Sequence, residues 1–237
     1  MVGTVDYDAL WTSCWCDTAR FGPVPRHGRR IMARMIEGIN FDSVLDVGCG
    51  EGSTLAFLKE KYSPSDMAGI DISRIAIERA RRNVTGVTWF VGKVNTAISG
   101  RTYDLVTCVD VVEHVEDDIL FLRDLAAVSN RYVLCVTAQG KMREGEAVFG
   151  HVRNYRRGEL HEKMQSAGLR PIRTVQWGFP FYSPLMRRTL ESKGGELIMS
   201  GHFGLIRKLA CHMVYGLLML NSWHHGDKLF MLAEKKA

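Results

Sequence analysis

The chain has 237 residues, 46% hydrophobic and 24% charged, with a net charge of +5. That is ordinary globular composition with room for one sizeable core, and its basic residues are spread along the chain rather than gathered into a nucleic-acid-binding block. Six cysteines at irregular spacing, some inside apolar runs, argue against a disulfide framework.

The opening MVGTVDYDALW has neither the basic start nor the apolar stretch of a secretion signal. The longest apolar run, residues 209–220, is interrupted by His212 and falls well short of the roughly 20 residues that span a bilayer. The expected setting is a soluble protein in a reducing cytoplasm.

In chain order, residues 4–16 read as a helix carrying Trp11 and Trp15, and Pro25 to Ile39 as an amphipathic helix. From residue 43 to about 137, apolar runs alternate with helical spacing. "SVLDV", "MAGID", "VTWFV", "YDLVTCV" and "RYVLCVTA" are strands too continuously apolar to have one wet face. Between them, Leu55 with Leu58, Ala76 with Ala80, and Ile119 with Leu122 and Ala126 mark helices, and Ser73 is placed to cap the second. Such alternation predicts a parallel sheet with helices on both faces. "RRGELHEKMQSAG" reads as a further helix stopped by Gly168, followed by a strand over Pro171 to Trp177. A segment of roughly fifty residues with a helix from about Phe203 to Leu220 precedes a last strand, "KLFMLAE". An insertion of that length is usually functional.

"VLDVGCGEGS" places Gly48, Gly50 and Gly52 just past the first strand. In an open parallel sheet ligands gather at that end, and glycine lets a ligand touch main-chain N–H groups where the next helix begins. A dinucleotide fingerprint spaces its glycines G-x-G-x-x-G, whereas here the sixth position is Ser53. Asp71 follows about twenty residues later, at the end of the second strand, where a carboxylate can accept from both hydroxyls of an adenosine ribose.

These residues resemble the class I S-adenosylmethionine-dependent methyltransferases. "VLDVGCGEGS" matches their first motif and "GIDIS" their second, and "YDLVTCVDVVEHV" is similar to the fourth-strand motif of the subgroup containing the ubiquinone-biosynthesis O-methyltransferases. The likeness covers roughly residues 40–177. It implies a Rossmann-like doubly wound α/β fold with a seven-stranded sheet, mostly parallel with an antiparallel last strand. A single domain would divide into an N-terminal helical cap (1–40), a cofactor-binding core (41–178), a substrate-capping insertion (179–226) and the last strand (227–237). It implies S-adenosylmethionine as cofactor, with Asp46, Gly48, Gly50 and Glu51 around its methionine half, Asp71 on the ribose and Ile72 on the adenine. Where many relatives have an acid after the third strand this chain has Lys93, leaving the Val94 backbone or Asn95 to meet the adenine amino group. Asp110, Val111 and His114 would line the cofactor's other side.

The methyl group of such a cofactor is already activated on a cationic sulfur, so orienting the acceptor and excluding water carry most of the catalysis. A base is required only where the acceptor must lose a proton. His114 reads either as that base or as a cofactor-binding or packing residue. His151, in "FGHVRNY", either faces the acceptor or fixes the following helix. Glu113 reads as a solvated or helix-capping acid, and His224 with His225 as a surface turn. Cys14 and Cys16 with His27 lack the second pair that a zinc site needs, so no metal is expected.

The insertion carries Phe179, Phe181 and Tyr182, then Ile206, Leu209, Met213, Val214 and Leu217 on one helical face. Such a face ordinarily packs against the sheet or the N-terminal helices, and it also suits a lid, a dimer contact or a membrane surface. The expected acceptor is a small or medium organic molecule methylated on oxygen, in a monomer or homodimer. A small-molecule N-methyltransferase and a non-catalytic cofactor-binding partner subunit are the alternatives. A nicotinamide dehydrogenase is disfavoured by the glycine spacing. Nucleic acid is disfavoured by "DVVEH", which stands where amino-directed nucleic-acid methyltransferases carry Asn/Asp-Pro-Pro-Tyr/Phe.

Overall fold

The computed structural model describes residues 5–13, 17–98, 100–190 and 201–236. Cys14, Trp15 and Cys16 lie outside the described residues. Three helices come first: α1 (Tyr7–Ser13), α2 (Thr18–Phe21) and α3 (Pro23–Met35). The core then runs β1 (Ser43–Val47), α4 (Ser53–Tyr62), β2 (Asp66–Asp71), α5 (Arg74–Asn83), β3 (Thr88–Val91), α6 (Val94–Ala97) and β4 (Tyr103–Val109). After a 3-10 turn (Val112–His114) come α7 (Asp118–Ala127), β5 (Ser129–Ala138), α8 (Glu144–Val148), α9 (Glu159–Ser166) and β6 (Leu169–Trp177). A wide helical turn (Phe181–Met186), α10 (Arg187–Leu190) and α11 (Leu205–Leu218) lead to β7 (Lys228–Lys235).

The seven strands form one sheet in the order β3-β2-β1-β4-β5-β7-β6. β1 to β5 are parallel to one another, and β7 runs antiparallel between β5 and β6. Successive strand residues feed two separate cores, as the period of two requires. On β1, Leu45 and Val47 join the core that includes Leu122, Leu125 and Leu160, while Val44 joins the core of Ile31, Met32, Leu55 and Leu58. This is the doubly wound α/β architecture. It leaves a crevice between β1 and β4, where the strand order reverses.

Ser73 caps α5, its hydroxyl accepting from the Ala76 N–H at 3.0 Å. α3 begins at Pro23, two residues before the sequence reading, because proline without an N–H suits the first helical turn. It ends at Met35, well before Ile39, and Gly38 then takes a φ of 78°.

α11 packs on α3. His27, fully buried, stacks between Trp177 and Tyr215 and donates from Nε2 to the Tyr215 carbonyl at 2.9 Å. Burial pushes this imidazole down to about 4. The expectation that the apolar stripe of α11 packs inward is corrected by the structure. Val214 is partly buried and Leu218 buried, but Ile206 is 86%, Leu209 61%, Met213 67% and Leu217 46% exposed.

Candidate active site

The turn after β1 is held by main-chain bonds to β2. The N–H groups of Gly48 and Cys49 donate to the Ile70 carbonyl at 2.8 and 3.1 Å, and Gly50 N–H donates to Asp71 Oδ2 at 2.9 Å. Gly48 (φ 71°) and Gly50 (φ 53°) sit in the left-handed region, where a side chain would be strained. Sterics forbid one as well: a Cβ on Gly48 would come 2.1 Å from Val111, and on Gly50 2.3 Å from Trp11. Asp71 completes the cradle. Its Oδ1 accepts from Ser73 N–H at 2.9 Å, and burial raises the carboxyl above its usual range.

Above this turn opens a cavity of about 1030 Å³. Of the residues singled out in the sequence, Gly48, Gly50, Asp71, Ile72, Val94, Asn95, Asp110, Val111, His114 and His151 line it together, and so does Lys93. Asp46 and Glu51 are not on its wall. Asp46 lies beneath the turn, its Oδ1 accepting from Thr107 Oγ1 at 2.7 Å, and burial pushes its carboxyl up to about 7. Glu51, whose carboxyl burial also raises, is in the electrostatic reach of Arg79, Asp17, Arg20 and Arg29. The bare turn and the Asp71 carboxylate together fit a nucleoside group: main-chain surface for a flat or extended ligand, and an acceptor for sugar hydroxyls.

The opposite wall is built by the end of β4. Asp110, at φ 55°, pairs with Lys228 from the first position of β7. Glu113 is 1% exposed rather than solvated or capping, and its Oε2 accepts from Thr137 Oγ1 at 2.8 Å. Burial, with the Asp110 charge behind it, pushes this carboxyl up to about 7. The Glu113 carbonyl accepts from Val152 N–H at 2.9 Å, which ties the His114 turn to the His151 loop. The two rings meet edge-on at 4.7 Å. Donor atoms of Glu113, His114 and His151 lie within 4.8 Å of one another, a donor set of the kind a divalent cation accepts.

Burial lowers both imidazoles, so each is neutral near pH 7. The His151 tautomer follows from its neighbours. Asn154 Nδ2 donates to Glu146 Oε2 at 2.7 Å, which orients the amide so that Oδ1 faces His151 Nδ1 at 3.3 Å. Nδ1 therefore carries the hydrogen, and the lone pair rests on Nε2. Glu146 is held in turn by Arg187, 1% exposed, which also pairs with Asp227 at 2.8 Å and donates to the Gln139 carbonyl at 3.1 Å. The insertion thus reaches His151 through three side chains.

α1 adds Tyr7 and Trp11 to the cavity wall. Asp8 Oδ1 accepts from Ser73 Oγ at 2.5 Å and Ile75 N–H at 3.2 Å, beside Asp71, while Tyr7 Oη lies 3.3 Å from His114 Nδ1. From the other side, Phe203, Ala210, Cys211 and Val214 of the insertion line the cavity together with Tyr182 and Met186. Tyr7, Asp8, Arg187 and Lys228 escaped the sequence reading because each acts across 41 to 118 positions of chain.

Residues 19–174 match the family model described as a methyltransferase domain. The ubiquinone biosynthesis O-methyltransferase of Vibrio parahaemolyticus is 34% identical over 98 residues, covering 39% of this chain and 41% of that protein. The (S)-tetrahydroprotoberberine N-methyltransferase of Eschscholzia californica is 28% identical over 89 residues, covering 35% of this chain and 25% of that protein. The chain thus spans less than half the length of these curated relatives. Magnesium protoporphyrin IX methyltransferase from Synechocystis, with S-adenosylmethionine bound, superposes with a TM-score of 0.55 at 14% identity, covering 90% of this chain and 82% of that one, a likeness of fold.

Proposed function

The chain belongs to the methyltransferase-domain family of class I S-adenosylmethionine-dependent proteins, and from that premise we propose that it transfers a methyl group to a small or medium organic acceptor, on oxygen. The observation that carries this reading is the cavity itself. One wall is a side-chain-free turn with a carboxylate, the other a pair of neutral imidazoles, and the roof is apolar. Residues 179–226 act as the substrate cap in this reading, with the N-terminal helices on the other flank.

When bound, S-adenosylmethionine supplies a methyl group on a cationic sulfur that departs neutral. Gly48 and Gly50 offer it the main chain, Asp71 accepts from its ribose hydroxyls, and Ile72, 55% exposed into the crevice mouth, packs on its adenine. Asn95 and Val94 take the place at the adenine edge where Lys93 replaces the usual acid. Aromatic and aliphatic side chains of the insertion hold the acceptor in line and exclude water. His151 Nε2 takes the proton from an acceptor hydroxyl as it attacks, since its lone pair is fixed by Asn154. His114, held by Tyr7, stands beside it as the second candidate.

A nitrogen acceptor is the second reading, supported by the likeness to an N-methyltransferase. Incubation with S-adenosylmethionine and a panel of apolar phenols, alcohols and amines, followed by mass spectrometry, tests both. The expected result is S-adenosylhomocysteine together with a product 14 mass units heavier, ~14 Da being one CH₂ of the transferred group. Binding of S-adenosylhomocysteine without turnover of any acceptor would leave the partner-subunit reading, and no binding at all would remove the assignment.

A further inference from the structure

α11 has two apolar faces. Ala210, Cys211 and Val214 line the cavity, while Ile206, Leu209, Met213 and Leu217 form an outward stripe. Their spacing of 3, 4 and 4 residues keeps them on one side of the helix. Single exposed leucines are unremarkable, but a continuous row along one helix marks a surface that binds something.

Charge selects the occupant. Residues 17–37 carry five arginines against Asp17 and Glu37, which meet His202 and Arg34, and residues 201–226 contain Arg207, Lys208 and no acid, so the two segments together hold an excess of positive charge. The two segments are packed together through α3 and α11. Arg26 lies over the Tyr215 ring at 4.0 Å and Lys208 over Phe21 at 4.3 Å, so cations sit where α11 meets α2 and α3 with their stems laid on aromatic surface, while Arg207, over Phe203 at 3.8 Å, lines the cavity. A second copy docking stripe to stripe would press these like charges together. An anionic lipid surface would neutralise them while its acyl boundary received the stripe.

We propose that the outer face of α11, with the cationic helices beside it, seats the protein on an anionic lipid surface. The cavity then opens beside the bilayer, with α11 as the wall between them. That an apolar acceptor arrives from the lipid rests on the methyl-transfer reading, whereas the seating itself does not.

Co-sedimentation with vesicles tests the seating without acceptor or cofactor. The protein should pellet with phosphatidylglycerol-containing vesicles, less with phosphatidylcholine alone, and less as salt rises. The Ile206→Ser/Leu209→Ser/Met213→Ser variant should bind roughly tenfold more weakly or worse, and Lys208→Glu should weaken binding to anionic vesicles selectively. The triple variant should keep wild-type Tm, its three side chains being exposed, and both variants should keep S-adenosylhomocysteine affinity, since none of the four residues lines the cavity. Equal pelleting of the triple variant, no pelleting of the wild type, or a wild-type dimer that the triple variant abolishes would each overturn the proposal.

Discussion

The indole of Trp11 rests on the α-carbon of Gly50, so close that a methyl group there would lie 2.3 Å from the ring. One residue of α1 and one of the glycine turn after β1 thus share a single contact, and each limits the other. Gly50→Ala should weaken S-adenosylhomocysteine binding by about tenfold or more, because left-handed alanine costs roughly 1–2 kcal/mol before any clash. Trp11→Ala added to it should return part of the loss, as a shared contact requires. Calorimetric titration of the single and double variants measures both, and strictly additive losses would show that the ring does not press on the turn.

Asp71 joins two roles, accepting from Gly50 N–H and facing the cavity. Asp71→Asn preserves its shape but removes its charge. Affinity for S-adenosylhomocysteine should fall by about 1.5–3 kcal/mol, the range for hydrogen bonds to charged groups. An unchanged dissociation constant would move the ribose contact elsewhere.

The Asn154 to His151 bond fixes which nitrogen can act as a base. Asn154→Leu should lower kcat by about 10- to 100-fold, the lower range of a general base's contribution, with little change in cofactor affinity. The pH profile carries the sign. Burial lowers the His151 imidazole, so its neutral, basic form prevails above its ordinary value of about 6.5, and activity should fall only on the acid side. His151→Ala should remove that limb. If the limb persists there and vanishes in His114→Ala, the roles of the two histidines are exchanged.

Arg187 is a buried cation shared by Glu146 and Asp227. Arg187→Met leaves Glu146 buried without its partner and should destabilise the fold by about 3–5 kcal/mol. At roughly 2–4 °C per kcal/mol for a chain of this size, Tm should drop by about 10 °C in calorimetry. A drop near zero would mean that Asn154 and the Arg143 N–H satisfy Glu146 unaided.

His27 gives stability a pH dependence of definite direction. Its folded value of about 4 lies below the unfolded value near 6.5, so the unfolded chain binds the extra proton between them. Its contribution is complete above pH 6.5 and is lost as pH falls toward 4, at about 1.4 kcal/mol per pH unit. Buried Asp46 and Glu113, raised to about 7, act in the opposite sense by favouring the folded state as pH falls. The wild type should therefore be compared with His27→Phe by urea unfolding at several pH values. The wild type should lose stability relative to the variant on acidification, and a constant difference would contradict the buried-neutral assignment.

The strand–helix alternation and the glycine turn were legible because they depend on local pattern: apolar runs of five to eight residues, closely spaced glycines at 48 and 50, a capping serine at position 73. Most of the ten cavity-lining residues were found for the same reason, since they sit at or just past the ends of β1 to β4, whereas His151 comes from the loop after α8. Asp46 illustrates the boundary. Its place in the motif is plain, but Thr107 on a neighbouring strand turns it under the sheet rather than into the cavity. Arg187 and Lys228 were illegible because their partners lie on distant strands and loops. The α11 stripe was misread because periodicity reports an apolar face without saying which of a helix's sides meets the protein.

Tyr7 and Asp8 are consecutive in the chain, but they grip opposite rims of the crevice, one at His114 and the other at Ser73. Those two adjacent residues therefore tie the two rims to each other across a single peptide unit, without passing through the sheet.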